Sequence, residues 1–419
     1  MYRVWNFLSQ YSLLLIFGAL IALFWANMDY ESYEHFVEAE LWRNPFIGLH
    51  GVDENGESIR ILTLHFLVNE VLMALFFAMA GKEVWEAVIL KNGSLRGRKA
   101  MTPLVATAGG MLGPILVYLG MAYFLWPDTF NDFSDGWAIP TATDIAFSYL
   151  IGRIVFGAGH PAVRFLLLLA IADDAAGLII LAVFYPSGEL AIQWLLMSVA
   201  AALSVYFLAN WLPVKLDRGD PDKPVSTWVR DKLGIWPYAL AGIVSWFGFQ
   251  NSGINPALGL LPVVMAIPHA DRAFGIYSEA EKYLGDLLNR AEHSLKIPVE
   301  IVLFLFGLAN AGVLFSAIGE ATWLVLAGLV IGKPLGIWVM GTIASGPLKL
   351  GLPEGMRNSD LVVLGFVAAI GFTVSLFVAS VAFDKGLVQD AAKMGALFSF
   401  GAAVIAIVVG KLMRVTRVE

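Results

Sequence analysis

Two adjacent aspartates lie in the middle of an apolar run that is long enough to cross a lipid bilayer. Asp173 and Asp174 have apolar neighbours on both sides, from about position 163 to position 184. An ionised carboxylate at the bilayer centre costs about 2.5–3.5 kcal/mol on insertion scales. Lipid does nothing to offset that cost, whereas a water-filled cavity, a cation, a proton or a buried lysine does. The sequence therefore predicts a membrane protein built around an internal acidic pair.

The composition of the whole chain agrees with this prediction. Of its 419 residues 58% are hydrophobic and 15% are charged, and the mean hydropathy is +0.73. Ordinary globular domains are about 45–50% apolar and about 25% charged. The formal net charge of −7 argues against nucleic acid as a partner. The absence of cysteine excludes disulfides and thiolate metal sites.

Apolar segments follow one another along nearly the entire chain. They predict an all-α polytopic membrane protein with about twelve transmembrane helices, in a single transporter domain over residues 1–419. The segments are 12–28, 62–81, 101–124, 141–156, 163–184, 191–211, 235–250, 255–267, 298–317, 322–343, 360–382 and 391–412. The eighth segment is only half as long as a comfortable span, so its boundaries are poorly defined.

Charges in the connecting loops predict the orientation of the chain in the membrane. The loop between spans two and three and the C-terminal tail are basic, whereas the loop before Trp137 is acidic. The residues concerned are Lys82, Lys91, Arg96, Arg98 and Lys99, then Lys411, Arg414 and Arg417, and finally Asp128, Asp132 and Asp135. The positive-inside rule assigns the basic regions to the cytoplasm. An even number of spans then places both termini there.

A β-hairpin is predicted over residues 46–62, in the loop between spans one and two. Asn55-Gly56 separates two short apolar stretches, a pattern typical of a type I′ turn. This loop lies outside the cytoplasm in the predicted topology. Because an isolated hairpin is marginally stable in water, we expect it to pair with its copy in a second subunit, giving a homodimer, or to lie on its own membrane domain.

Two spans carry helix-breaking residues. Pro140 opens the fourth span beside Thr143 and Asp144, and Gly371 and Thr373 lie mid-way along the eleventh. Pro and Gly with hydroxyl neighbours are where a membrane helix unwinds. The breaks occupy the second spans of two three-span blocks, 101–184 and 322–412, whose first members are spans three and ten. A difference of seven spans reverses the orientation, which predicts inverted-topology repeats with two discontinuous, crossed helices as the core. The remaining spans would form an interface for dimerisation.

Few other charges lie within the apolar segments. Lys333, deep in span ten, is the expected counter-charge for one aspartate, with snorkelling to a membrane edge as the alternative. Asp144 can alternatively be interpreted as a helix cap. Asp144 and Lys333 also have the signs of charge needed to offset the partial charges at the ends of crossed, broken helices. Glu70, Glu83 and Glu300 also fall within or beside spans.

The acidic pair has a chemistry that suits ion exchange. Neighbouring helix positions point about 100° apart, so one aspartate can face a lysine while the other faces a cavity. Carboxylate and hydroxyl oxygens suit Na⁺ or Li⁺ better than soft metals. A cation that binds Asp173 and Asp174 displaces protons from the same oxygens. Competition between a cation and protons for one site is the physical basis of an exchanger.

At the level of motifs, the chain resembles the bacterial NhaA-type Na⁺/H⁺ antiporters. The matching stretches follow the family order across nearly the whole chain. They are residues 68–77 (VNEVLMALFF), 138–147 (AIPTATDIAF), 172–174 (ADD), 308–313 (LANAGV), 331–336 (IGKPLG) and 370–377 (IGFTVSLF).

The resemblance implies specific roles. Asp174 would be the principal carboxylate for the cation and protons, and Asp173 its partner, which pairs with Lys333 when no cation is bound. Thr143 and Asp144 would lie beside the site. A member of this family is a transporter of the bacterial inner membrane, not an enzyme, and uses no cofactor. It exchanges external protons for internal Na⁺ or Li⁺ electrogenically, with more protons moving in than cations moving out.

The resemblance also implies activation by alkaline pH through charged groups at the cytoplasmic mouth. Glu83, Arg290, Glu292 and His293 match such positions. The chain departs from many relatives around them. Lys82 precedes Glu83, Trp85 and Ala87 stand where others carry an acid–base cluster, and Asn255 and Lys296 replace histidines of some relatives. These departures leave the pH range of activation open.

Two other classes of protein compete with the exchanger. An intramembrane aspartyl protease would place Asp144 and Asp173 on separate helices, but it needs Tyr-Asp and Gly-x-Gly-Asp motifs, which this sequence lacks. A Na⁺- or H⁺-coupled symporter of organic solutes would need a larger polar binding surface than the few polar groups within the predicted spans.

Overall fold

The structure, a computed structural model, describes residues 13–52, 56, 58–89, 95, 100–218, 220, 222–268 and 287–418. Helices dominate these ranges, and we number them in chain order. The first ones are α1 (Leu13–Met28), α2 (Tyr30–Val37), α3 (Leu64–Ile89), α4 (Met101–Leu125), α5 (Pro127–Thr141), α6 (Ile145–Phe156), α7 (Pro161–Phe184) and α8 (Ile192–Leu216). The later ones are α9 (Pro224–Trp228), α10 (Trp236–Ser252), α11 (Leu261–Val264), α12 (Leu287–Asn310), α13 (Glu320–Ser345), α14 (Asn358–Ala368), α15 (Phe372–Ala382) and α16 (Leu387–Leu412).

The described helices include six that are long and apolar enough to cross a membrane, and eight when each of two bent pairs counts as one span. The six are α3, α4, α7, α8, α13 and α16. The other predicted spans correspond to shorter or more polar helices: α1 has 16 residues, α10 has 17, and α12 carries four charged residues. Segment 255–267 is divided between Pro256–Leu258 and α11. The total of twelve spans stays a prediction.

The two bent pairs are the predicted broken spans. Helix α5 meets α6 at an angle of 55°, and α14 meets α15 at 54°. The helical hydrogen bonds stop at residues 142–144 and 369–371, where the sequence has Asp144 and Gly371. A Cβ atom on Gly371 would lie 2.4 Å from the Ser375 hydroxyl oxygen and 3.1 Å from the Ala142 carbonyl oxygen. Only glycine therefore fits where the two breaks touch.

The two broken helices cross at their breaks and exchange hydrogen bonds reciprocally. Ser148, one turn into α6, donates to the Val367 carbonyl at 2.9 Å, and Ser375, one turn into α15, donates to the Ile139 carbonyl at 2.7 Å. The Asp144 amide also donates to the Ile370 carbonyl at 2.7 Å. Backbone groups freed by each break are thus bonded by the other, as a low-dielectric interior requires.

Helices α4 and α13 approach so closely that their backbones touch. Gly109 and Gly113 face Gly332 and Gly336, and a Cβ atom on Gly336 would lie 1.9 Å from the Gly109 carbonyl oxygen. A small residue at every fourth position is how membrane helices pack without large side chains between them. The contact fixes α13, and with it Lys333, against the core.

A three-stranded antiparallel sheet replaces the predicted two-stranded hairpin. Its strands are β1 (Glu40–Asn44), β2 (Leu49–Val52) and β3 (Ser58–Thr63), in the order β1-β3-β2. Strands β2 and β3 form the predicted hairpin, with Leu49 opposite Ile61; Asn55 of the predicted turn lies outside the described residues. Strand β1 lies before the predicted range 46–62 and was not predicted, because its segment lacks the alternation of a half-buried strand and is exposed at four of five positions.

The sheet lies on the protein's own helices. Arg60 of β3 donates to the Asn251 side chain of α10 at 2.8 Å, and Gln250 donates to the Phe46 carbonyl at 2.7 Å. The loop after α7 contacts the C-terminal end of α10 as well, because the Ser187 amide donates to the Gly253 carbonyl. We call this side of the bundle the sheet end. The opposite side, where the Val418 amide of the C-terminal tail donates to the Phe156 carbonyl, is the tail end.

A buried histidine begins α7 at the tail end. The Nδ1 atom of His160 accepts a hydrogen bond from the Ala162 amide at 3.1 Å, and its ring lies 5.2 Å from that of Phe156. Burial lowers the pKa of His160 below its ordinary value. The imidazole therefore stays neutral near pH 7 and keeps a lone pair for the helix N-terminus.

Candidate functional site

Asp173 and Lys333 form a buried ion pair where α7 passes the crossed breaks. The Lys333 Nζ atom lies 2.8 Å from Oδ2 of Asp173, and the two side chains are 0% and 2% exposed. The Thr143 hydroxyl donates to the same carboxylate oxygen at 2.7 Å. The Lys333 ammonium also donates to the Thr141 carbonyl, at the end of α5. Charges removed from water are tolerated only with partners this close.

Asp144 lies between the N-termini of two helices. Its Oδ1 atom accepts a hydrogen bond from the Phe147 amide of α6 at 3.2 Å. Its Oδ2 atom accepts from the amide and the hydroxyl of Thr373, at the start of α15. A negative charge at two positive helix ends, and an ammonium at the carbonyl end of α5, offset the partial charges of the broken helices.

Asp174 has different surroundings from Asp173. It is half-buried, and none of the described residues donates a hydrogen bond to it or forms an ion pair with it. The charged groups around it are Asp173, Asp144 and Lys333. Because it is one position further along α7, its carboxylate points away from Lys333 and lines a narrow crevice.

The crevice runs from the two aspartates towards the sheet end. Phe77, Thr141 and Val374 line it together with the α7 residues that follow Asp174, as far as Leu181. Carboxylate, hydroxyl and carbonyl oxygens converge at its inner end, and apolar side chains form its walls. Such a site can hold a small hard cation on oxygens, or protons on the same carboxylates.

A second charged cluster lies near the tail end of α3. The Lys82 ammonium is 2.6 Å from Glu292, 3.0 Å from Glu86 and 3.3 Å from Glu83, measured to a carboxylate oxygen of each, and its side chain is 4% exposed. The structure thus connects α3 with α12 through one lysine.

The other predicted regulatory residues lie apart from this lysine. Arg290 donates to the Arg230 carbonyl at 3.3 Å, and Nδ1 of His293 is 2.9 Å from the Asn289 carbonyl oxygen. Of the four residues proposed from the resemblance, the structure brings together Glu83 and Glu292.

Sequence reasoning missed three contributions to these sites. Lys82 was treated as a departure from the family pattern, but it is the centre of the tail-end cluster. Glu86 was overlooked, although its spacing of four residues from Lys82 on a helix indicates a pair. Thr373 was taken as a mark of the helix break alone, and its hydroxyl proves to bond Asp144. No local sequence signal connects Thr373 with Asp144, because they are 229 residues apart.

Known proteins that are similar to this chain match it along nearly its whole length. The family model described as Na⁺/H⁺ antiporter 1 matches residues 4–413. A protein of Jannaschia sp. named Na⁺/H⁺ antiporter NhaA is 71% identical over 419 residues, which cover all of both chains. Proteins with the same name from Desulfitobacterium hafniense and Geobacter sulfurreducens are 45% and 42% identical. These two alignments cover 99% of this chain and 97% and 98% of the relatives.

Proposed function

The chain belongs to the Na⁺/H⁺ antiporter 1 family, and on this premise we propose that it exchanges Na⁺ or Li⁺ for protons at Asp173 and Asp174. The antiporters of this family are transporters and not enzymes. This assignment of the site depends on one observation, which is that two adjacent carboxylates have different bonding partners. Asp173 is held by Lys333 and Thr143, whereas Asp174 faces the crevice with no partner among the described residues.

Exchange follows from competition for the same oxygens. Without a cation, Asp173 is neutralised by Lys333, and Asp174 is neutralised by a proton because its charge is otherwise uncompensated. A Na⁺ ion that reaches Asp174 attracts the oxygens of both carboxylates, so the proton leaves Asp174 and Asp173 turns from Lys333 to the ion. The Lys333 ammonium, left without its carboxylate partner, releases a second proton. Return of protons releases the ion and restores the Lys333 pair. A cation and protons therefore occupy the site alternately, and the chain moves them in opposite directions.

The crossed breaks make this cycle possible in a low-dielectric interior. Thr143 and Asp144 in one break and Thr373 in the other supply polar groups beside the aspartates. The reciprocal bonds Ser148–Val367 and Ser375–Ile139 support an inverted repeat, because each half contributes the same kind of contact to the other. We assign the repeats to residues 101–184 and 322–412, the core that moves against the remaining spans.

The orientation we assign places the sheet end outside and both termini in the cytoplasm of a bacterial inner membrane. The basic C-terminal residues Lys411, Arg414 and Arg417 support this topology. The crevice then leads from Asp174 towards the outside. Alternating access then requires one state in which protons from outside reach the carboxylates and another that admits Na⁺ from the cytoplasm. The excess of protons over cations makes the exchange electrogenic.

The tail-end cluster is the candidate for regulation by pH. Three carboxylates share one ammonium there, and they join α3 to α12 at what we assign as the cytoplasmic mouth. Removing or adding protons changes the balance of this cluster and so changes how tightly the two helices are held together. Arg290 and His293 lie on the same helix as Glu292 and belong to its electrostatic surroundings.

The sheet is the candidate for a dimer contact. It has two edge strands, β1 and β2, and exposes Leu41, Trp42, Phe46 and Leu49 by 49–59%. Edge strands with apolar side chains favour pairing with another chain. The bonds from Arg60 to Asn251 of α10 and from Gln250 of α10 to the Phe46 carbonyl would then hold each sheet in place for its partner.

Deleting residues 50–60 is expected to weaken the dimer and leave transport intact. The deletion removes most of β2 and half of β3, which are far from Asp174 along the chain and carry none of its contacts. Light scattering on the purified protein measures the mass, and vesicle assays measure exchange. A variant that stays fully dimeric at the same protein concentration would rule out the sheet as the contact.

The proposed activity is tested in proteoliposomes with a preset pH gradient. Addition of Na⁺ or Li⁺ is expected to collapse the gradient, and K⁺ or an organic solute is expected to leave it in place. A scan over external pH gives the activation profile that the tail-end cluster would set. A gradient that responds to a solute and Na⁺ together, and not to Na⁺ alone, would favour the coupled symporter instead.

A further inference from the structure

Glu300 is a buried carboxyl that the cycle above does not use. It lies near the middle of α12, is 6% exposed, and its buried Oε2 atom has no hydrogen-bond partner in the part of the chain that the structure describes. From Glu300, α12 extends 13 residues to Leu287 and 10 residues to Asn310. These lengths correspond to about 20 Å and 15 Å. Glu300 is therefore deep in the bundle, and an unpaired carboxylate at that depth needs a proton or a cation.

Among the described residues, the charges around Glu300 do not include a close counter-ion. The groups whose charge acts on its carboxyl are Lys296, one turn earlier on α12, and Asp144 at the break. Lys296 is exposed, so its ammonium lies at the surface of the bundle and not beside the buried carboxyl. None of the ion pairs among the described residues includes Glu300. The negative charge of Asp144 therefore repels a negative charge on Glu300, and no buried cation among the described residues pairs with Glu300.

Helix α12 also carries a polar stripe that leads to Glu300. Asn289, His293, Lys296 and Glu300 are spaced by four, three and four residues, which places them along one side of the helix. The stripe begins at the tail end, beside Glu292 of the Lys82 cluster, and ends at the buried carboxyl. Helix α12 packs against α3 and α15, two helices that contribute Phe77 and Val374 to the crevice. The stripe therefore joins the tail-end surface to the region of the transport site.

We propose that Glu300 is a further binding site for the transported monovalent cation, on the route between the tail end and Asp174. The orphan Oε2 atom supplies an oxygen ligand, and the charge of Asp144 adds to the attraction for a cation. This inference rests on the proposed Na⁺/H⁺ exchange.

The step balances in charge and protons. When Na⁺ arrives, the Glu300 carboxyl releases its proton to water at the tail end and holds the ion as a carboxylate. When the ion moves on to Asp174, Glu300 takes up a proton again. Na⁺ therefore occupies Glu300 only transiently, and Glu300 adds no net proton to the transport cycle.

The test compares Glu300→Gln with Glu354→Gln. Glutamine has nearly the same shape but no charge, and Glu354 is an exposed glutamate in the loop between α13 and α14. In proteoliposomes, Glu300→Gln is expected to raise the half-saturating Na⁺ concentration about tenfold, the loss expected for one charged ligand. The maximal rate should be retained, and Glu354→Gln should behave as the wild type.

A second measurement separates a binding role from a structural one. Na⁺ added to the detergent-purified protein should raise its melting temperature, with a midpoint concentration that is higher for Glu300→Gln. A variant that melts differently without Na⁺, but has the wild-type Na⁺ midpoint and half-saturation, would overturn the proposal. Failure of the wild type itself to exchange Na⁺ would instead overturn the proposed function, so the two failures are distinguishable.

Discussion

Asp174→Asn is expected to reduce Na⁺-driven proton movement to the level of protein-free vesicles. Asparagine has the same shape, so the crevice and its walls remain, but its amide neither binds a proton at physiological pH nor attracts a cation with a full charge. Asp173 alone is tied to Lys333 and Thr143. Without the second carboxylate the site has no group that alternates between a proton and an ion. The loss is measured as the rate at which Na⁺ collapses a preset pH gradient.

The matched control for this prediction is Asp128→Asn. Asp128 is exposed in the first turn of α5 and should tolerate the same chemical change with full activity. Both variants should melt close to the wild-type temperature, because Asp174 makes no hydrogen bond among the described residues. If Asp174→Asn exchanges at the wild-type rate over the whole pH range, the transport site has been assigned to the wrong residue.

Lys333→Ala is expected to have the largest effect on stability. It leaves Asp173 buried without a counter-charge and deprives the Thr141 carbonyl of a donor. Removing one partner of a buried ion pair typically costs about 3–5 kcal/mol, because the other charge is then uncompensated. The measurement is the melting temperature of the purified protein, followed together with the pH dependence of exchange.

A double variant shows whether the cost comes from the stranded charge. In Lys333→Ala with Asp173→Asn, position 173 carries no charge, so part of the lost stability should return. The difference between the double variant and the sum of the single variants gives the interaction between the two residues. Unchanged melting with unchanged pH dependence in Lys333→Ala would show that the contact at 2.8 Å contributes nothing.

The features that follow a short-range pattern could be predicted from the sequence. Apolar runs predicted the membrane class, Pro140 and Gly371 predicted two broken helices, and Asn55-Gly56 predicted the pairing of β2 with β3. Each of these depends on residues that are close to one another in the sequence. The crossing of the breaks was expected from the block arrangement, and the structure adds the bonds that hold it, such as Ser375 to Ile139.

The features that depend on long-range contacts could not be predicted in the same way. Strand β1 joins the sheet only because β3 offers a free edge, and its own residues show no alternation. The position of Lys82 among three carboxylates requires α12 to pack against α3. The partner of Asp144 across the breaks, Thr373, is likewise set by the crossing. In each case tertiary packing decides the role, and neighbouring residues do not reveal it.

The most direct test of this account measures whether sodium binding releases protons. Purified protein in weakly buffered detergent solution is titrated with Na⁺ while a pH-sensitive dye records protons in the solution, with K⁺ as the control. We expect protons to appear in proportion to the Na⁺ bound, and Asp174→Asn to release none. Na⁺ binding that leaves the proton content of the protein unchanged would contradict the idea that ion and protons share one pair of carboxylates.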